Sequence, residues 1–259
     1  MTIRGPALPA RFFPNAPVAD PRFFIDVDLA PHAEIELPTR VAHHASHVLR
    51  LRDGDRVAVF NGRGGEYVGR LAARGTRVEL TRHDPVERES PVALTLLQSW
   101  VATDKVEWIV EKAVELGASR IILAPARRSV VRLEGARLAK RIERLREIVI
   151  AACCQCGRNR VPVVEALEDL RAAFAEARSP NSAAVVLALD GERSLVEAAA
   201  NMTAATVAIG PEGGFEKSEV EAALRAGYVA VRLGQRILRT ETAGLVALAT
   251  LQATVGDLR

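Results

Sequence analysis

Five apolar strand segments alternate with helical patterns between residue 92 and the C-terminus. They are "ALTLLQSWV", "RIILAPA", "AAVVLALD", "ATVAIGPE" and "VAVRLG". Between them lie "TDKVEWIVEKAVELG" and "LAKRIERLREIVIAAC", and the chain closes on "TETAGLVALATLQATV". A run of βα units folds as a mostly parallel sheet covered on both faces. In the first helix the spacing puts Val106, Ile109, Val110 and Ala113 on one face, with Asp104 expected as its cap and Gly117 as its end.

Residues 20 to 83 follow a different pattern. "RFFIDVDL", "DRVAVFNG", "GEYVGRLAA" and "TRVELTR" are short and rich in β-branched or aromatic residues, with Asp53-Gly54 and Asn61-Gly62 supplying turns. "RVAHHASHVLRLRDGD" reads as a short helix among them. These features predict a small β-barrel domain over 1–83, a polar, proline-bracketed linker over 84–91, and the α/β domain over 92–259.

The chain has 259 residues, 49% hydrophobic and 26% charged, which suits a folded soluble protein. No apolar run is long enough to cross a bilayer, and "MTIRGPALPARFFPNAP" lacks the apolar core of a signal peptide. A cytoplasmic protein without membrane contact is expected. Cys153, Cys154 and Cys156 are too close together to staple a fold. His43 and His47 have the i,i+4 spacing of a metal pair but no third ligand in sequence, so no metal is expected. Net charge is +3, and lysine occurs only at Lys105, Lys112, Lys140 and Lys217. Arginine suits phosphate contacts and base stacking, although a GC-rich genome also produces arginine richness.

Parallel sheets bind ligands at the carboxyl ends of their strands. Three such ends carry loop chemistry: "LALDG", "IGPEGG" and "LGQRILRTETA". The middle loop fails as a phosphate cradle. Glu216 and Pro211 stand where the P-loop needs glycine, and no G-x-G-x-x-G is present. Glu212 and Asp190 would repel a diphosphate. A ligand held by backbone and apolar contacts fits better, and S-adenosylmethionine, with its flat adenine and cationic sulfur, is one candidate. For "GPEGG" alone, a tight turn with no ligand stays open.

"IGPEGGF" followed by "LGQRILRTETAGLVAL" resembles the SPOUT class of methyltransferases. With "KAVELGASRI", "RRSVVRL" and "AACCQCGRNRVP", the chain resembles the RsmE family along nearly its whole length. The resemblance implies a PUA-like β-barrel domain, a SPOUT α/β domain with a trefoil knot, and a homodimer. It also implies S-adenosylmethionine-dependent methylation of N3 of a uridine in 16S ribosomal RNA, presented as free RNA or as the assembled small subunit. Leu189, Gly210, Gly214, Leu233, Gly234, Ile237, Leu238 and Thr240 would line the cofactor, with Pro211, Glu212, Gly213 and Arg239 in the same loops. A SPOUT enzyme acting on another RNA, or a non-catalytic RNA-binding protein of the same fold, are the alternatives.

Loss of the N3 proton puts negative charge on the uracil ring, and a cation aimed there stabilises the transition state. Arg239 is the first candidate, its other role being to pair with Glu241 or Glu212. Glu241 is a candidate base or a simple helix N-terminal carboxylate. Thr240 is a candidate cap for that helix. Arg158, Asn159 and Arg160, then Arg127 and Arg128, are candidate RNA contacts. Arg11 beside Phe12 and Phe13 either joins a phosphate contact to base stacking or anchors the N-terminal arm.

Overall fold

The computed structural model describes residues 20–179, 182–200 and 202–258. The first sheet is built from β1 (Arg22–Phe24), β2 (Glu34–Glu36), β3 (Arg56–Phe60), β4 (Glu66–Ala72) and β5 (Arg77–Asp84). Its order is β1-β3-β4-β5-β2, with β1 parallel to β3 and every other pair antiparallel. The sheet is a half-barrel whose ladder ends at β1 and β2. Helix α1 (Thr39–His43) continues into a π-helical turn, His44–Val48. Phe23, Ile25, Val57, Val59, Leu71, Val78 and Leu80 form its core.

The second sheet has seven strands, all parallel, in the order β10-β12-β9-β11-β6-β7-β8. Along the chain its elements are β6 (Ala93–Ser99), α2 (Thr103–Glu115), β7 (Ala118–Ala124), α3 (Gly135–Cys156), β8 (Val163–Ala166), α4 (Leu170–Glu176), β9 (Ala183–Leu187), β10 (Arg193–Ser194), α5 (Leu195–Ala198), β11 (Ala204–Ile209), α6 (Lys217–Arg225), β12 (Val229–Arg232) and α7 (Thr240–Thr254). Side chains alternate across each strand. Leu94, Leu96, Ile121, Leu123 and Val185 face α2, α3 and α7, whereas Leu97, Ile122, Ala124, Ala184 and Val186 face α4 and α6. The short strands β2, β8 and β10 carry too few residues to stand out as a pattern.

Helix α2 buries Val106, Ile109, Val110 and Ala113 as its spacing requires, and Gly117 follows its end. Its cap position is Ala102, so Asp104 contributes a first-turn carboxylate instead of a cap. Helix α3 ends at Gly157 and carries the cysteines in its last turn. Burial pushes the Cys153 thiol up to about 12, so it is an inert apolar side chain at neutral pH.

The candidate RNA contacts Arg158 and Asn159 are buried, at 4% and 0% exposure. Arg158 donates to both oxygens of Glu89 and to the carbonyls of Val114 and Ala118. Asn159 donates to Val86 O and accepts from Arg22 of β1 at 2.6 Å. Arg22 also pairs with Glu66, over which Arg88 lies as a second cation. Burial alone would raise the Glu66 carboxyl, but Arg22 and Arg88 outweigh it and hold it below the usual carboxylate range. The segment between the sheets, expected as a linker, is therefore clamped between them by its own Val86, Glu87, Arg88 and Glu89. Arg160 remains exposed and pairs with Glu87. Residues Arg11, Phe12 and Phe13 lie outside the described residues.

Removing Arg158 strands a carboxylate and two carbonyls. Arg158→Met is expected to cost about 3–5 kcal/mol of stability, against roughly 0.5 kcal/mol or less for Arg160→Ala, both read from urea denaturation midpoints.

Candidate functional site

β9, β11 and β12 are neighbours, so the loops leaving their carboxyl ends lie side by side. They enclose a cavity of about 570 Å³, floored by Leu187, Ile209 and Val231. That is within the range of about 300–1,000 Å³ typical of small-molecule sites. Every residue expected at the cofactor lines it except Arg239. Leu189 and Ile237 are 76% and 79% exposed at the cavity. Apolar side chains left this open suit a flat apolar ligand that would cover them.

The middle loop turns sharply: Gly214 N donates to Pro211 O at 2.8 Å, with Gly214 at φ +69°. A Cβ on Gly210 would come within 2.8 Å of Phe215 N, so the loop closes only on glycine there. Gly213 lines the cavity through its backbone, and a side chain there would point outward. Its Cβ would meet Arg128 Cβ and Cδ at 3.2 Å, and Arg128 donates to Gly213 O. Arg128 thus braces the loop from outside. Arg127 is exposed, donates its backbone N–H to Glu219 and lies 3.6 Å from Glu216.

The third loop is tied to the second through a buried hydroxyl. Thr240 Oγ1 donates to Gly210 O at 2.6 Å and accepts from Gln98 Nε2 at 3.1 Å. Thr240 is the first residue of α7, not its cap, a position taken by Arg239. Gln98 sits in register with Ile209 at the end of β6. Sequence reasoning passed over it, although a glutamine inside an otherwise apolar strand signals a buried hydrogen-bonding duty.

Lys105 was also passed over. It stands in the first turn of α2, where a cation opposes the helix dipole; that unfavourable placement was the available signal. Its Nζ donates to Glu212 Oε1 at 3.1 Å and lies 3.7 Å from Glu241 Oε2. The hydrogen bond to Glu212 raises the Lys105 pKa above its ordinary value. Burial pushes the Glu212 carboxyl up, but its own backbone N–H and Lys105 outweigh this and hold it low. Both ions therefore persist through neutral pH, and the pair weakens only as pH falls through the depressed Glu212 value. Lys105 thus sits between two carboxylates at one wall, while Arg232 and Arg236 also line the cavity.

Arg239 is exposed and makes no ion pair among the described residues. The carboxylates it was expected to pair with are taken by Lys105. Glu241 Oε2 is buried without a hydrogen-bond partner. No group of three or more His, Cys, Asp or Glu among the described residues is arranged to hold a metal, and no helix there is long and apolar enough to cross a membrane.

Comparison with known proteins gives a consistent result. Residues 88–252 match the model of the RNA methyltransferase domain, and residues 37–80 that of the RNA methyltransferase PUA domain. The ribosomal RNA small subunit methyltransferase E of Bacillus subtilis is 31% identical over 92% of this chain and 98% of its own. A crystal structure of the protein of that name from Neisseria gonorrhoeae, bound to S-adenosyl methionine, is 34% identical over 93% of this chain and 100% of that chain, with a TM-score of 0.86. A putative methyltransferase from Legionella pneumophila, in complex with the bound cofactor SAM, is 29% identical over 93% of this chain and 100% of that chain, with a TM-score of 0.88.

Lys105→Met removes the cation that joins the middle loop to α7. It is expected to weaken S-adenosylmethionine binding roughly tenfold while the fold persists. Calorimetric titration with circular dichroism on the same sample checks this, and an unchanged Kd would remove the bracing role.

Proposed function

The chain belongs to the RNA methyltransferase family, and we propose that it transfers a methyl group from S-adenosylmethionine to N3 of a specific uridine in 16S ribosomal RNA of the small subunit. One observation carries the reading: three strand-end loops converge on a single cavity whose walls are largely backbone and apolar groups, with Pro211, which has no N–H, and Glu212 where a phosphate cradle would need donors. A non-catalytic RNA-binding role leaves that cavity without a purpose.

When bound, S-adenosylmethionine supplies an electrophilic methyl on a cationic sulfur. Backbone groups of Gly210–Gly214 and Leu233–Leu238, which line the cavity, would hold it, and the exposed Leu189 and Ile237 would cover its flat ring. Glu241, whose Oε2 lies 3.7 Å from Lys105 Nζ, is the proposed acceptor of the N3 proton of uracil. Arg239, which makes no ion pair among the described residues, is proposed to stabilise the charge that proton loss leaves on the two ring carbonyls. In-line methyl transfer asks the protein mainly to position donor and acceptor. Arg127, Arg128 and Arg160 are exposed and can contact the RNA.

The PUA-like domain and the arginine-rich surface support an RNA partner, and the same reading places the protein in the cytoplasm. We also propose a homodimer. Trp108 on α2 and Val246 on α7 are exposed apolar side chains on two helices packed together, a surface that a second copy would cover.

Mass spectrometry of 16S ribosomal RNA, treated with enzyme and S-adenosylmethionine as free RNA and as assembled subunits, tests the function. A single N3-methyluridine is expected, and no modification of either form would overturn the reading. Arg239→Ala is expected to leave cofactor affinity within about twofold and to lower kcat by roughly 10²–10³. Unchanged turnover would dismiss its role.

A further inference from the structure

A second cavity, about 780 Å³, opens on the same edge of the parallel sheet, over the carboxyl ends of β6, β7 and β8. It shares a wall with the first. Arg128 holds Gly213 O, Glu219 receives the backbone N–H groups of Arg127 and Glu216, and Phe174 packs edge-on to Phe215 at 5.9 Å. Phe215 lines the first cavity and Phe174 the second.

Its chemistry is mixed. Trp100 and Phe174 form a buried apolar floor. Arg132 and Arg171 line it, and neither makes an ion pair among the described residues. Of its acids, Glu219 is engaged by two backbone N–H groups and Asp169 by Ala172 N. Glu134 and Glu168 keep free acceptors. Three arginines, Arg127 among them, against four acids leave no net positive field for a bare phosphate. The lining suits a ligand with a flat face and both donors and acceptors on its edge. An unstacked nucleobase has that form, and single-stranded RNA is read by stacking bases on aromatic or guanidinium planes and bonding their edges.

Resting on the RNA methyltransferase reading, we propose that this cavity receives a nucleobase of the substrate RNA flanking the methylated uridine, and that Arg132, Arg171 and Glu168 select it. The shared wall keeps a flanking nucleotide next to the target, and the two cavities divide the work between methyl donor and sequence recognition.

The test uses the full-length protein and the exposed substitutions Arg132→Ala, Arg171→Ala and Glu168→Gln. RNA affinity, S-adenosylmethionine affinity and methyl transfer are measured on small-subunit RNA with the native flanking nucleotides and with each substituted. Wild-type transfer is measured first, and its absence would remove the methyltransferase reading and this proposal together. With transfer present, the arginine variants are expected to bind native RNA about five- to twentyfold more weakly. They should hold S-adenosylmethionine as wild type does, which also reports that they fold. All three variants should lose discrimination against the substituted RNAs. Unchanged discrimination and RNA affinity in all three would overturn the cavity's role and leave the methyltransferase reading intact.

Discussion

Parallel alignment of all seven strands is the constraint from which the rest follows. Each strand enters the sheet in the same direction, so every strand-to-helix loop falls on one edge. The chain lays β6, β7 and β8 outward in one direction, then returns to place β11, β9 and β12 on the other side of β6. Strand order reverses between β6 and β11, and a crevice at such a switch point is where open α/β sheets hold ligands. Here the reversal splits the edge into two triplets of loops, one around each cavity. At the first cavity the helices contribute only through their first turns, which is why α2 and α7 matter at Lys105 and Thr240 but not along their lengths.

Charge and hydrogen bonding near the first cavity act in one direction. Thr240 fixes the distance between the second and third loops through a buried bond to Gly210 O. Lys105 then ties both to α2 through Glu212 and Glu241. A buried hydroxyl bond resists water, whereas the ion pair sits partly exposed and is screened by salt. The hydroxyl therefore sets the geometry, and the lysine adds a weaker brace between α2, the middle loop and α7. Arg239 is left unpaired because Lys105 has already satisfied the acids beside it.

Much of this was legible in the sequence because it is local. Periodicity located α2, α3, α7 and the long strands, and glycine and proline marked the three loops. The absent glycines at Pro211 and Glu216 correctly argued against phosphate. What was not legible depends on packing between distant segments. "CGRNR" reads as an RNA contact until the β3–β4 turn docks on it, where Gly64 N donates to Asn159 O. Asp104 looked like a cap because a cap is recognised by residue type, yet the backbone is already helical from Thr103 and the cap falls on Ala102. Gly213 lines the cavity by its backbone, but the direction a side chain would take there is set by its neighbour, Arg128.

The arginine content shows how composition misleads when taken alone. A preference for arginine over lysine suggests nucleic acid, since guanidinium reads phosphates and bases well. Arg158 and Arg22 use the same property for another purpose. Arg158 engages one carboxylate and two carbonyls, and Arg22 bonds Glu66, Arg158 O and Asn159 Oδ1. A planar group with five donors can satisfy several acceptors at a buried junction, which the three donors of an ammonium at the end of a flexible stem do poorly. Part of the arginine excess thus holds the PUA-like sheet against the parallel sheet. Those guanidinium groups are spent on protein acceptors, so counting them from composition as nucleic-acid contacts overstates the basic surface.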